Sequence, residues 1–281
     1  MYLVLELCVG GELFDMLGEQ PAYHYTEQQC ARYVKQMLAG VRYIHSKGIL
    51  HCDLKLENFF FSSKDPDSEL KMIDFGLSKH FKNGEVHNDA VGTPYSTAPE
   101  VILGEYDERC DMWGMGVLTY LMLSGDSPFG GCAGESLRTV RENILRGSFQ
   151  FEPVEIWSSV SQHAKDFISG LLIRDPQKLP DTREAQQSLW LKEWAIQETK
   201  AGSNNLNPDV LKALVSFKEY GDIRKLFCQM VSFALLPDQI QDLRKEFEKL
   251  DKDGSYERSL AALKGVLMKV AGAGSLGALR E

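Results

Sequence analysis

The chain has 281 residues, of which 43% are hydrophobic and 25% are charged. These proportions are ordinary for a globular protein, and the length is sufficient to bury a core. The formal net charge of -9 leaves no basic excess that would neutralise nucleic-acid phosphates, so we expect no nucleic-acid partner.

The six cysteines are scattered, at positions 8, 30, 52, 110, 132 and 228, without a C-x-x-C pair or histidines at zinc spacing. Free thiols in a reducing compartment are therefore the expectation. The sequence shows neither a signal peptide nor an apolar run of membrane-spanning length. We expect a cytoplasmic location and no membrane partner, with a nuclear location as the alternative.

The chain opens on a short apolar run rich in β-forming residues, positions 1–6, which predicts a strand. The clearest helix begins at Thr26, which forms a T-x-x-Q capping box with Gln29. Apolar residues then recur at helical spacing up to Gly48, namely Cys30, Tyr33, Val34, Met37, Leu38, Val41 and Ile44. This stripe predicts core packing that supports the segment after the helix.

That segment is residues 51–58, His-Cys-Asp-Leu-Lys-Leu-Glu-Asn, and a further Asp-Phe-Gly triplet begins at Asp74. Phosphoryl transfer from a nucleotide needs these residue types at this spacing. One carboxylate receives the nucleophile's proton, a lysine faces the transferred phosphoryl group, and an asparagine and a second carboxylate hold magnesium. Three more motifs follow in order: Gly92-Thr93-Pro94, Ala98-Pro99-Glu100 and Asp111-Met112-Trp113-Gly114-Met115-Gly116.

Together these motifs resemble the signature set of the eukaryotic protein kinases. The resemblance implies that Asp53 is the catalytic base, that Lys55 stabilises the phosphoryl charge, and that Asn58 and Asp74 bind magnesium. It also implies ATP and Mg²⁺ as cofactors. A lysine at position 55 is typical of the serine/threonine kinases rather than the tyrosine kinases.

The same resemblance places the adenine of ATP near the start of the chain. Leu5 would occupy the gatekeeper position, and the Glu6 carbonyl and the Cys8 amide would pair with the adenine. Phe60 would form the floor of the adenine pocket. Residues 1–6 would then be the last strand before the hinge of a kinase, and the helix after Gly10-Gly11 would be the first of its large lobe.

The resemblance also implies a preference for protein substrates with basic side chains near the phosphorylated residue. Glu12 would face the nucleotide ribose and a basic substrate residue, and Glu57 would make a second such contact. The alternative for Glu12 is a solvated helix start, where the helix dipole favours an acid. Thr93 is expected to hydrogen bond near Asp53, and Asp111 to hold the catalytic-loop backbone through its carboxylate.

Cys52 departs from the family pattern, since most relatives carry an arginine there that receives an activation-loop phosphate. We therefore do not expect activation by loop phosphorylation through this residue. The loop carries Glu85 and Asp89, so constitutive order or control from elsewhere fits better. A redox role for Cys52 is the less favoured alternative.

Leu179 is a second departure, because relatives carry an arginine there that is buried against the glutamate corresponding to Glu100. A buried carboxylate without its partner is either destabilising or shifts its protonation. Arg183 is the candidate replacement for the missing cation.

The composition changes from about Ala201 onward. Residues 196–235 are predicted to form a linker and a basic amphipathic segment, which resembles the autoinhibitory junction of the calcium-dependent protein kinases of plants and protists. Such a segment occupies the substrate groove until calcium removes it, and the alternative is a packing helix with a solvated basic face. The Gly/Ala-rich residues 271–281 are expected to be a disordered tail.

Residues 236–270 resemble a degenerate EF-hand. Asp251, Asp253 and Ser255 stand at alternate positions that suit calcium. Tyr256 occupies the position that needs glycine and Ala262 that of the bidentate glutamate, so we expect calcium binding to be weak or absent.

The expected fold is mainly α: residues 1–195 form the large lobe of a kinase with a short hinge strand and small β elements, followed by a helical EF-hand-like tail. No glycine-rich phosphate loop or strand lysine precedes the hinge, so the sequence predicts that the small lobe is missing and that the chain has little or no turnover as written. The first functional hypothesis is a serine/threonine kinase of the calcium-dependent type. The alternative is a non-catalytic, kinase-like binding or regulatory module.

Overall fold

The computed structural model describes residues 4–201 except 21, 66, 83, 90, 132 and 133, and side chains up to residue 195. The chain divides into two units, Met1–Ile196 and Gln197–Glu281, and nearly all the elements below belong to the first. The predicted junction, EF-hand and tail lie outside the described residues. Within the described residues, no helix is long and apolar enough to cross a membrane.

The described part is mainly helical. Its α-helices are α1 (Leu13–Gly18), α2 (Glu27–Ser46), α3 (Pro99–Leu103), α4 (Arg109–Ser124), α5 (Leu137–Arg146), α6 (Val154–Trp157), α7 (Gln162–Leu171), α8 (Thr182–Gln186) and α9 (Leu189–Ala201). Its strands are β1 (Ile49–Leu50), β2 (Phe59–Phe61), β3 (Leu70–Met72) and β4 (Lys79–His80). Short 3₁₀ turns cover Leu56–Asn58 and Pro176–Lys178.

Helix α2 forms as the capping box predicts. The Thr26 hydroxyl accepts the backbone N–H of Gln29, and the Gln29 side chain accepts the backbone N–H of Thr26. The predicted apolar stripe is buried along the helix. At its N-terminus the Glu27 carboxylate accepts hydrogen bonds from Ser161, Trp190 and Trp194. This one carboxylate therefore ties the start of α2 to α7 and α9.

Helix α4 is the centre of the core. Every residue from Cys110 to Ser124 is buried, and the helix packs against both α2 and α7. A helix that is apolar on all sides belongs inside a protein, which explains why α4 shows no single hydrophobic face. Because α4 begins at the motif containing Asp111, the core holds that carboxylate at a fixed position.

Two antiparallel strand pairs flank the catalytic segment. In the first, Ile49 of β1 pairs with His80 of β4, and in the second, Phe59 of β2 pairs with Met72 of β3. The backbone N–H of Ile73 also donates to the Asn58 carbonyl at 2.9 Å. The pairing therefore brings the end of the 51–58 segment beside the residue that precedes Asp74.

The predicted hinge strand is not formed over residues 4–6, and residues 1–3 lie outside the described part. Val4, Leu5 and Leu7 are 98%, 80% and 80% exposed. The backbone first meets a neighbour at Val9 and Gly10, whose N–H groups donate to Ser62 and Phe61. A strand needs a paired neighbour, and the described residues supply none to positions 4–8.

Candidate active site

The loop 51–58 is fixed from below by Asp111, as the sequence predicts. One Asp111 oxygen accepts the backbone N–H of His51 at 2.8 Å and Nε2 of His45 at 2.8 Å, and the other accepts the Cys52 N–H at 3.0 Å. Burial by itself would raise the pKa of Asp111, but the hydrogen bonds and positive charge around it outweigh burial and lower the pKa. Asp111 is therefore a buried anion that orders the loop, and the contribution of His45 was not predicted.

Asp53 is buried to 7% exposure, and two side chains hold its carboxylate. The Thr93 hydroxyl donates to Oδ1 at 2.6 Å, which confirms the expected hydrogen bond, and Lys55 Nζ lies 3.4 Å from Oδ2. Asn58 Nδ2 donates to the Asp53 backbone carbonyl at 2.9 Å. The structure thus brings Asp53, Lys55 and Asn58 together, with the carboxylate aimed by the activation segment.

The predicted magnesium ligands, Asn58 and Asp74, lie at neighbouring backbone positions. The Asn58 Nδ2 group donates to the Asp53 carbonyl, so its amide oxygen is the atom that could bind a metal. Asp74 is exposed, and its Oδ1 accepts a long hydrogen bond, 3.2 Å, from the Gly76 N–H. Among the described residues no cluster of three or more histidines, cysteines or acids forms a protein-only metal cage. One carboxylate and one amide nevertheless fit magnesium, which keeps several waters and takes its remaining ligands from phosphates.

His51 connects the catalytic loop to the Asp-Phe-Gly triplet. Its Nδ1 accepts the Asp53 N–H at 3.3 Å, so Nε2 carries the proton and donates to the Ile73 carbonyl at 3.1 Å. The His51 ring also lies 5.2 Å, centroid to centroid, from the Phe75 ring. Asp53 and Asp74 are therefore positioned by the same buried imidazole.

The residues predicted to contact the substrate and the nucleotide differ in how closely they lie to the loop that contains Asp53. Glu57 accepts a hydrogen bond from the Tyr95 hydroxyl at 3.0 Å, and Glu12 is half-buried and forms an isolated bridge with Phe60 of β2. The Glu6 carboxylate forms an ion pair with Lys71 Nζ at 3.3 Å. Burial, followed by the charge of Glu6, raises the pKa of the Cys8 thiol. Leu5 is mostly exposed, so the structure does not bring it into contact with the Asp53 centre.

Comparison with known proteins decides the family. The family described as "Protein kinase domain" matches residues 1–191, about two thirds of the chain. The chain belongs to the protein kinase family. It is 38% identical over 268 residues to calcium-dependent protein kinase 11 of rice, a match that covers 95% of this chain and 45% of the rice protein. It is 36% identical over 270 residues to calcium-dependent protein kinase 1 of Arabidopsis thaliana, covering 96% and 43%.

This kinase chain therefore spans less than half the length of the curated relatives it matches. The match to these relatives also extends well past residue 191, since it covers 268 to 270 residues. The relatives' similarity to the chain is thus not confined to the kinase domain.

The activation segment of this kinase contains a clamp that sequence reasoning missed. Lys79 Nζ lies 2.6 Å from Asp89 Oδ2 and 2.8 Å from the Tyr106 hydroxyl. His87 and Tyr106 exchange backbone hydrogen bonds at 2.8 and 3.1 Å. A lysine and an aspartate thus hold the segment without the arginine that Cys52 replaces, and the only sequence signal was the acidic Asp89.

Glu100 is a buried carboxylate without a hydrogen-bond partner on either oxygen among the described residues. Arg183 is exposed, so the expectation that it replaces the missing arginine is wrong. Its backbone N–H donates to the carboxylate of Asp181, the residue that caps α8, at 2.8 Å. The buried Leu179 side chain has no hydrogen-bond donor, and burial raises the pKa of Glu100 to about 7.

Proposed function

We propose that this chain carries the catalytic machinery of a serine/threonine protein kinase of the calcium-dependent type. Its reaction would transfer the γ-phosphoryl group of ATP to a serine or threonine hydroxyl of a protein. The observation that carries the proposal is the Asp53 carboxylate, which is buried, held by Thr93 at 2.6 Å and accompanied by Lys55 at 3.4 Å. The family match and the relatives' names support the same reaction.

Each residue of this centre has a defined task. Asp53 orients the substrate hydroxyl and accepts its proton, and Lys55 offsets the negative charge on the transferred phosphoryl group. Asn58 and Asp74 hold Mg²⁺, and bound MgATP supplies the phosphoryl group and the charge neutralisation around it. His51 and Asp111 keep these groups in register through the backbone.

Five further residues are proposed to contact the nucleotide. Leu5, the Glu6 carbonyl, the Cys8 amide and Phe60 would surround the adenine, and Glu12 would face the ribose. The position of Phe60 supports this assignment, because its bridge to Glu12 places both residues at one edge of β2, next to the Asn58 turn.

Two carboxylates are proposed to select substrates with basic residues near the phosphorylated position. Glu12 and Glu57 are both only partly buried and can reach a bound peptide. Tyr95 fixes Glu57 in place, which lowers the entropic cost of pairing it with an incoming cation.

The remaining parts of the proposal concern the domain organisation, the regulation and the location of the chain. They comprise a kinase large lobe over 1–195, a linker and intramolecular autoinhibitory segment over 196–235, a degenerate EF-hand over 236–270 and a tail over 271–281. The names of the relatives support regulation by calcium. The weak ligand set at Asp251, Asp253 and Ser255 argues that this particular loop contributes little to it. A cytoplasmic location completes the proposal.

The test is a radiometric assay of the full chain with MgATP and a basic serine peptide. Asp74→Ala should abolish incorporation because it removes a magnesium ligand, whereas Asp15→Ala, an exposed acid on α1, should leave it unchanged. A nucleotide-dependent shift in melting temperature, measured in parallel, reports binding without turnover. Equal incorporation by wild type and Asp74→Ala would refute catalysis by this chain and favour the non-catalytic binding module.

A further inference from the structure

Two cysteine thiols meet beside the catalytic loop. Cys52, which precedes Asp53, and Cys110, at the start of α4, line the same small cavity together with Leu54 and Val101. Cys110 is 6% exposed, and Cys52 is half-buried and packs against the core. Both side chains thus lie at one small space between the catalytic loop and α4.

The backbone keeps this pair together. The Cys52 N–H donates to Asp111 Oδ1 at 3.0 Å, and Asp111 is the neighbour of Cys110 in the chain. Cys52 also has a φ of +67°, in the left-handed region that a residue with a side chain adopts at a cost. The loop is thus held in an unusual conformation at the residue whose thiol faces α4.

The same residue touches the activation segment. A Cβ atom at Gly92, which has a φ of +101°, would lie 2.8 Å from the Cys52 carbonyl oxygen. Gly92 precedes Thr93, whose hydroxyl aims the Asp53 carboxylate. A shift of Cys52 would therefore reach the reacting carboxylate both along the chain and through Thr93.

We propose that Cys52 and Cys110 are a redox-active pair that forms a reversible disulfide and switches the catalytic loop off. The oxidant is a peroxide. The Cys52 thiolate attacks one peroxide oxygen to give a sulfenic acid and water, and the Cys110 sulfur then displaces a second water to form the disulfide. The two sulfur atoms lose two electrons in total to the peroxide, and a dithiol reductant restores both thiols.

The exposures assign the order of these steps. The interaction with the Cys52 side chain, followed by burial, raises the pKa of Cys110 well above its usual value, so this sulfur is a poor first nucleophile. Cys52 is the less buried of the two thiols, and the oxidant reaches it first.

The bond changes the loop because the two sulfur atoms approach. Both thiols are free in the structure, and a disulfide, about 2.05 Å long, is shorter than any contact between two free thiols, so its formation draws the loop towards α4. A misplacement of about 1 Å in a catalytic constellation costs about 100-fold in rate. This consequence rests on the proposed kinase activity, but formation of the bond does not.

The experiment therefore has two independent readouts. The full chain is treated with hydrogen peroxide, its remaining thiols are alkylated, and the peptides are mapped by mass spectrometry. A Cys52–Cys110 linkage is expected in wild type and in Cys30→Ser, a control at a buried cysteine on α2, and not in Cys110→Ser or Cys110→Ala. Circular dichroism of each variant shows that it is folded before it is oxidised.

Any one of three results would overturn the proposal. The folded wild type could show no Cys52–Cys110 linkage, Cys52 could pair with another cysteine, or the yield of the linkage could be the same when oxidation is carried out in concentrated urea. The second readout is phosphotransfer, which should fall about 100-fold on oxidation of wild type, recover with dithiothreitol, and resist peroxide in Cys110→Ser. If the Cys52–Cys110 linkage is mapped but phosphotransfer is unchanged, the disulfide does not switch the catalytic loop off. If the untreated chain shows no phosphotransfer, the proposed function is refuted, and the mass spectrum alone decides whether the disulfide forms.

Discussion

Glu100 should make the stability of this kinase domain fall as the pH rises towards 8. Its carboxylate is 5% exposed, has no hydrogen-bond partner among the described residues, and lies near the negative charge of Asp107. Burial raises its pKa from 4.5 in the unfolded chain to about 7 in the folded protein. The folded state therefore binds more protons at Glu100 than the unfolded state between these two values. The contribution of this group to stability is fully present below pH 4.5 and is lost as the pH rises through 7.

The size of the effect follows from the shift. A change from 4.5 to about 7 corresponds to about 3 kcal/mol, since each unit is about 1.4 kcal/mol. Glu100→Gln keeps the shape of the protonated acid without its titration. We expect this variant to unfold with a free energy about 3 kcal/mol higher than wild type at pH 8 and within about 1 kcal/mol of it at pH 5.

Urea denaturation followed by tryptophan fluorescence, at several values from pH 5 to pH 8.5, measures this difference. Glu105→Gln is the matched control, because Glu105 is exposed in the same segment and its substitution should give a pH-independent offset. If Glu100→Gln destabilises the protein equally at both ends of the range, then the carboxylate has a partner and the reasoning from its burial is refuted.

Three other predictions follow from the hydrogen bonds and ion pairs of the catalytic loop and the activation segment. Asp111→Asn removes one of the two oxygens that accept hydrogen bonds from the backbone N–H groups of His51 and Cys52, so the free energy of unfolding at pH 7 should fall by about 1–3 kcal/mol. An unchanged midpoint of urea denaturation would contradict the role of this carboxylate. Thr93→Val removes the donor to Asp53 and should lower the turnover of a basic peptide by about tenfold or more, while Thr93→Ser should retain most of it; equal loss in both would mean that the hydroxyl is not what matters. Lys79→Met breaks the ion pair with Asp89, which is largely exposed, so the free energy of unfolding should change by less than about 1 kcal/mol. Limited proteolysis between residues 82 and 97 should become faster, and equal cleavage rates in wild type and variant would show that the clamp does not order the segment.

The sequence predicted helices α2 and α7 well because their signals are local. Thr26 and Ser161 predict where the two helices begin, since each side chain can accept a hydrogen bond from a backbone N–H three residues later, and both of these bonds form. The Thr93–Asp53 bond and the Asp111 loop contacts were predicted only through the family resemblance, since they join residues 40 and about 60 positions apart. Nothing in residue spacing by itself indicates such pairs.

The predictions that did not hold depend on neighbours that local patterns do not reveal. Positions 4–6 have the residue types of a strand, but a strand forms only where a second strand supplies hydrogen bonds. Arg183 has the right charge and stands near the right place in the sequence, but its backbone begins α8 and its side chain is exposed. The Lys79–Asp89 clamp was missed for the converse reason, because nothing marks an isolated lysine as a partner before the chain is folded.

The two departures from the family pattern act on one region of the molecule. The family resemblance implies an arginine at the positions of both Cys52 and Leu179, so the two departures would remove one cation at the catalytic loop and another beside Glu100. The first loss places a thiol against Cys110, and the second leaves Glu100 buried and unpaired, only a few residues before the segment that leads to Cys110. The arginine at the start of α4, Arg109, is paired with Asp107 at 3.1 Å, and the Lys79–Asp89 contact holds the activation segment without a phosphate. The expectation that phosphorylation does not act through position 52 therefore stays a prediction, and the proposed disulfide between Cys52 and Cys110 would give this kinase a different means of control.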